Sequence, residues 1–311
     1  MIKVIAVVGA TATGKSGLAV SLAKALDGEV ISGDSAQVYR GMDIGTAKIK
    51  PEEQDGVPHH LIDILDTDTA FSAGVFAELG TAAAEDIVSR GKLPIIAGGT
   101  GLYVDAMTGV NRLSPTADSD PAVRQQLMDK AAAEGAEALH AYLKSIDPQA
   151  AADIHPNNVK RVARAIEIFL VTGKTKTELN AQPAEQGRFS RCLIMLDCPD
   201  RATLYSRIDA RVDIMMEQGL EQEAYSLWNQ GLEYAPTASA AIGYKELFPY
   251  FRGDISLERA VEDIKQATRN YAKRQITYFK RMKGAYPIDI SLGKEEVFRL
   301  ALQHAKQFLQ N

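Results

Sequence analysis

Positions 2–8 read Ile-Lys-Val-Ile-Ala-Val-Val, an apolar run broken only at Lys3. A short β-branched run of this kind predicts a strand buried on both faces. After a glycine-rich stretch, helical spacing runs from Ser16 to Leu26. Further strand-like runs fall at Glu29–Ser32, His60–Leu65 and Lys92–Ala97, and a second helical pattern spans Ser72–Arg90. Ser72 is placed as its N-cap and Gly91 as its stop. Strands alternating with helices predict an α/β fold, a parallel sheet with helices on both faces. Ligands of such sheets bind beyond the carboxyl ends of the strands. One rim should therefore carry residues 9–16, Asp34 and Gly98-Gly99-Thr100.

The pattern changes after Asn111. Leu113 to about Gly187 offers no convincing strand, while Asp120-Pro121, Asp147-Pro148 and His155-Pro156 read as helix starts. A helical insertion over 113–187 is expected within a core made of 1–112 and 188–311. Cys192–Cys198 returns as a strand that should close the sheet. Helical patterns follow at Arg201–Trp228, Leu257–Lys283 and Lys294–Leu309.

A chain of 311 residues is too long for one small core, in keeping with a large domain plus an insertion. No 18-residue apolar stretch is present, which excludes a membrane-spanning helix. The first strand is too short, and too soon followed by glycine and polar residues, to be a signal peptide. Cys192 and Cys198, the only cysteines, form no metal-binding or disulfide pattern. They read as structural thiols of a cytoplasmic protein. The net charge of −5 weighs against a polyanionic partner, but its distribution does not. Ile264–Lys283 carries Lys265, Arg269, Lys273, Arg274, Lys280, Arg281 and Lys283 with no Asp or Glu. A local patch, not the net charge, decides what docks there.

Gly9-Ala10-Thr11-Ala12-Thr13-Gly14-Lys15-Ser16 fits G-x-x-x-x-G-K-[ST] between a strand and a helix. Successive amides and a helix N-terminus cradle phosphates there. Lys15 adds a mobile positive charge, and the Ser16 hydroxyl can hold Mg²⁺. The expected fold is P-loop NTPase-like, with a nucleotide- or ATP-binding type of loop. Asp34 ends the second strand and opens a long polar loop. It can serve as a general base, or as a cap or metal neighbour, and the sequence does not choose. The fourth strand ends in Gly98-Gly99-Thr100, where ATPases often carry a metal-holding acid. Transfer from a phosphate-bearing donor is favoured over hydrolysis. In the insertion, Val159, Val162, Ile166 and Phe169 form an apolar stripe, with Lys160, Arg161 and Arg164 elsewhere on the helix. In the C-terminal half, Tyr271, Tyr278 and Phe279 interleave with the basic residues, a combination that suits looped RNA.

Several blocks together resemble the bacterial tRNA dimethylallyltransferase family. They are residues 9–16, Asp34–Lys48, Pro58-His59-His60, Gly98–Tyr103, Asn157–Arg164, Gly243-Tyr244 and Thr268–Gln275. The likeness runs from residue 2 to about 284, and Tyr278 stands where the family usually has Trp. It implies dimethylallyl diphosphate as donor and N6 of adenosine 37 as acceptor, in tRNAs reading codons that begin with U. It implies Asp34 as acceptor of the N6 proton. Arg211 joins Lys15 on the diphosphate, and Thr100 sits at the leaving oxygen or the nucleotide. The anticodon stem-loop would meet Asp34, Ser35, Ala36, Gln37, Thr100, Arg124 and Lys160-Arg161-Val162-Ala163-Arg164. It would also meet Ala241-Ile242-Gly243-Tyr244-Lys245-Glu246, and the basic helix through Arg269, Lys273 and Arg274. A monomer is expected. The alternatives are a cytokinin-type adenine-nucleotide isopentenyltransferase and a small-molecule P-loop kinase.

Overall fold

The computed structural model describes residues 1–109, 120–181 and 187–311. The chain opens with β1 (Ile2–Gly9), α1 (Lys15–Leu26), β2 (Gly28–Ser32), α2 (Pro51–Gln54) and β3 (His59–His60). It continues through α3 (Ala73–Ser89), β4 (Leu93–Gly98) and α4 (Gly101–Met107). Five helices follow: α5 (Pro121–Glu134), α6 (Ala136–Ile146), α7 (Pro148–Asp153), α8 (Val159–Thr172) and α9 (Lys176–Ala181). The last stretch holds β5 (Phe189–Asp197), α10 (Arg201–Glu217), α11 (Leu220–Asn229), α12 (Phe248–Phe251), α13 (Leu257–Phe279), β6 (Ala285–Asp289) and α14 (Lys294–Gln310).

Two compact units result. One is Met1–Thr108 with Arg188–Asn311; the other is Gly109–Gly187. The first holds a six-stranded sheet in the order β3-β2-β4-β1-β5-β6, with every pairing parallel. Val4, Ala6 and Val8 of β1 face one apolar layer, and Ile5 and Val7 face the other. Burial on both faces is why the strand reads as a continuous apolar run. The second unit closes its own core around Leu139, Leu143, Val162 and Ile166.

The structure departs from the sequence pattern at five places. The strand expected over His60–Leu65 is only His59–His60, because Leu61 and Asp63 turn to positive φ (62° and 55°). The pattern over Arg201–Trp228 is two helices, separated at Gly219 with φ 100°. The helix expected over Leu257–Lys283 stops at Phe279. β5 does not close the sheet, since β6 pairs outside it as an edge that tolerates Pro287. Asp120 and Asp147 cap α5 and α7 with Pro at the first turn, whereas His155-Pro156 precedes a turn and α8 begins after Asn158.

Register places the functional rim. β4 lies between β2 and β1, with Ser32 opposite Ala97 and Val8 opposite Gly98. The chain leaving each of the three strands therefore enters the same few ångströms of space. Gly33 N donates to Ala97 O at 2.8 Å and fastens the second strand end to the fourth.

Candidate active site

The loop from Gly9 to Ser16 is preformed. Gly14 sits at φ 88° as the N-cap of α1, and the Thr13 hydroxyl donates to Ala10 O at 2.8 Å. Lys15 Nζ donates to the same carbonyl at 2.7 Å, so the side chain folds over its own loop. Burial pulls the Lys15 pKa from 10.5 to about 8; the Arg211 charge pulls the same way and the Asp34 charge opposes. Arg211, half-buried on α10, also has its pKa lowered by burial, against the pull of Asp34 and Glu53. It forms no hydrogen bond or ion pair among the described residues. Two cations thus share a cavity of about 270 Å³ with Ser16, Asp34, Glu53 and Gln275 on its walls. That arrangement is made for an anion. Ser16 is exposed at the start of α1. No cluster of three or more His, Cys, Asp or Glu among the described residues could hold a metal ion by itself.

Asp34 uses its carboxylate locally and still has an oxygen to spare. Oδ1 accepts from Ala36 N at 2.9 Å, a turn that aims the side chain, and among the described residues no hydrogen bond engages Oδ2. Asp34 caps no helix, since none begins between β2 and Pro51, and the turn bond leaves its second oxygen for the base role. Ser35, Ala36, Lys245 and Arg274 line a second cavity of about 260 Å³, whose walls include Ile208, Val212, Met215 and Ile264. The two cavities share Thr11, Asp34, Thr46, Ala47, Arg211 and Tyr271. An anionic donor and a flat, partly apolar acceptor could meet at Asp34.

Thr100 lines neither cavity. Its Oγ1 is buried without a well-formed hydrogen bond, beside the Tyr271 phenol. Burial, then the Asp34 charge, raises the Tyr271 pKa. Tyr271 was legible as an aromatic among the basic residues, and Gln275 only as part of a motif. Gln275 is buried and bridges two loops: its Oε1 accepts from Thr11 N at 2.9 Å, and its Nε2 donates to Gly99 O at 3.0 Å.

The long loop after Asp34 is held from outside by Glu223, a residue with no distinguishing sequence signal. Its carboxylate accepts from Asp43 N, Ile44 N and Gly45 N at 2.9–3.2 Å, and from the Tyr244 hydroxyl at 2.6 Å. A Cβ at Gly45 would fall 2.5 Å from the Tyr244 ring, so only glycine fits there. Lys48 locks the far end through Asp43, Asp63 and Tyr39 O. Gln37 Oε1 accepts from the Ser32 hydroxyl at 3.0 Å and its Nε2 donates to Thr46 O at 3.3 Å, closing the loop on itself.

Several residues expected at an RNA surface have structural work instead. Tyr244 is fully buried, and Glu246 is turned in to accept from Gly243 N at 2.9 Å. Arg269 binds both oxygens of Asp209 at 2.7 and 2.8 Å and also Glu262, while Lys265 pairs with Asp213. The basic stretch looked uncompensated because its acids lie on α10 and, for Glu262, two turns before Arg269 on α13. Lys273 and Arg274 remain exposed, over the rings of Tyr205 and Tyr271. In the second unit, Val162 and Ala163 are core residues. Arg124 and Arg164 both grip Glu167, whose carboxylate is fully buried. Burial opposes the Glu167 charge, but the two guanidiniums and the Asp120 amide outweigh it and hold its pKa below the usual range. Lys160 and Arg161 stand exposed at the start of α8, where Asn158 makes no side-chain cap.

Fold and site together define a P-loop NTPase-like α/β protein whose anion cavity opens onto a second one beside a carboxylate. A family model described as IPP transferase matches residues 37–282. The chain is 48% identical over 303 residues to the tRNA dimethylallyltransferase of Geobacillus thermodenitrificans, covering 96% of this chain and 95% of that one. It is 46% identical to that of Bacillus subtilis, covering 95% of each. A tRNA isopentenylpyrophosphate transferase of Bacillus halodurans superposes with a TM-score of 0.73 at 42% identity, covering 100% of this chain and 99% of that one. A eukaryotic dimethylallyltransferase acting on tRNA superposes at 0.80 and 33% identity, covering 93% of this chain and 74% of that one. The chain belongs to the IPP transferase family.

Proposed function

We propose that this chain transfers the dimethylallyl group of dimethylallyl diphosphate to N6 of adenosine 37, in tRNAs reading codons that begin with U. The products are N6-dimethylallyladenosine and diphosphate. The observation that carries the reading is the pair of cations, Lys15 and Arg211, in a cavity that meets a second, partly apolar one at Asp34.

The allylic C–O bond breaks and its electron pair leaves on the diphosphate. Lys15, Arg211 and the loop amides stabilise that developing charge. The N6 lone pair forms the new C–N bond, and the N6 proton passes to the free oxygen of Asp34. Thr100, whose hydroxyl is buried and lines neither cavity, would act behind Tyr271 rather than on the leaving oxygen or the nucleotide. A base must leave the anticodon loop to reach such a pocket. Lys160, Arg161, Lys245, Lys273 and Arg274 are exposed cations that would meet tRNA phosphates. Mg²⁺ fits the donor set: one exposed Ser16 hydroxyl supplies a single ligand, and this ion takes its others from phosphate and water. It would neutralise diphosphate charge. The enzyme is expected to act as a monomer in the cytoplasm, where its tRNA is.

No helix among the described residues is long and apolar enough to cross a membrane. The test offers labelled dimethylallyl diphosphate with either total tRNA or AMP. Label in tRNA is expected. Label in AMP but not tRNA would favour the cytokinin-type reaction, and phosphate transfer from ATP would favour a kinase.

A further inference from the structure

α13 presents Tyr271 and Gln275 one turn apart, on the face that meets the strand ends. Tyr271 borders both cavities, whereas Gln275 joins the loops that form them. Its amide oxygen takes the Thr11 N–H of the phosphate loop, and its amide nitrogen gives to the Gly99 carbonyl, one residue before Thr100. Both bonds use the amide in one orientation, since the acceptor and donor ends cannot be exchanged. The fit is close. A Cβ at Gly99 would stand 2.3 Å from Gln275 Nε2, so the glycine exists to let the amide in. No other described side chain bonds both loops.

Resting on the function proposed above, we propose that Gln275 is a positioning residue for the transfer. It fixes the span between the phosphate cradle, which holds the leaving group, and the β4 end, which carries Thr100 beside Tyr271. Although it stands on the wall of the phosphate cavity, both ends of its amide are engaged by the loops, so it acts through them. Removing it lets the two loops move apart, and misplacement by about 1 Å can cost on the order of 10²-fold in rate.

Gln275→Met keeps the volume and loses both bonds. Gln275→Glu keeps an acceptor for Thr11 N–H but sets a carboxylate against the Gly99 carbonyl until it is protonated. Gly99→Ala displaces the amide from the other side. Steady-state tRNA prenylation is measured for all three, with melting temperatures. The expected result is kcat down by ~10-fold or more in Gln275→Met and Gly99→Ala, with KM for tRNA within about threefold. The double variant should be no worse than the poorer single one. The kcat ratio of Gln275→Glu to wild type should rise as pH falls and the new carboxyl gains the proton that restores the donor. That ratio can be read even if Gln275→Met does not fold. Active wild type with a flat ratio, or near-normal kcat in a folded Gln275→Met, overturns the inference alone. Wild type that never prenylates tRNA overturns the functional reading and the inference with it.

Discussion

The Arg211 guanidinium faces Lys15 across the phosphate-loop cavity, and its charge adds to burial in bringing the Lys15 pKa to about 8. A bound diphosphate reverses both influences by giving the ammonium a partner. Diphosphate binding should therefore take up a proton above pH 8. Calorimetric affinity for inorganic diphosphate should be nearly flat below pH 7.5 and fall by up to ~10-fold per unit from about pH 8. Lys15→Met should abolish that slope. An unchanged slope in the variant would assign it to another group.

Asp34→Asn keeps the turn bond to Ala36 N and removes the proton acceptor. Turnover should drop by ~10²–10⁴, the usual worth of a positioned general base, with tRNA affinity within a few-fold. Single-turnover prenylation alongside filter binding separates the two quantities. Normal turnover would remove Asp34 from the chemistry.

Glu223→Ala strands three loop amides and the Tyr244 phenol. A loss of about 2–3 kcal/mol in urea unfolding is expected, since bonds to a charged acceptor are lost together. KM for tRNA should rise as well, because Ser35, Ala36 and Thr46 line the second cavity. Loss of stability with unaltered KM would show that the loop does not present the acceptor.

Binding of tRNA should weaken steeply between ~50 and ~200 mM salt through counterion release. Replacing both Lys160 and Arg161 by Gln should flatten the slope by about two charges. Arg269→Gln should instead lower the melting temperature, since its charge is spent on Asp209 and Glu262. A reduced salt slope in Arg269→Gln, with unchanged melting, would contradict this division.

Glu29 is buried near the start of β2, where hydrogen bonds from Arg90 outweigh burial, with His60 assisting, and bring its pKa from 4.5 to about 2. The folded state binds the Glu29 proton less readily than the unfolded one. Its stabilisation is present above pH 4.5 and is lost as pH falls toward 2. Glu29→Gln should cost about 1–2 kcal/mol at pH 7, a figure reduced for the partial exposure of Arg90, and much less at pH 3. Denaturant melts at the two pH values decide it.

The phosphate loop and the rim were legible in the chain because both rest on local order. An apolar strand followed by the glycine-rich loop and Gly14-Lys15-Ser16 points to a phosphate-binding turn, and β-branched runs such as Ile2–Val8 point to buried strands. Asp34 was legible as the residue after such a strand. Its division between a turn bond and a free oxygen was not, because that depends on one amide two residues on. Charge was read least well. Arg269 looked free because Asp209 lies sixty residues away on another helix, whereas the apolar stripe already placed Val162 in the core, against the tRNA contact that the family resemblance implied. The sequence by itself determined the anion site, the parallel sheet and the residues able to hold a proton. Tertiary structure alone decided which cations stay uncompensated, that Glu223 clasps the acceptor loop and that Gln275 ties two strand ends together. Local propensity acts over a few residues, whereas the pairing of charges and amides depends on which distant segments the core brings within three ångströms.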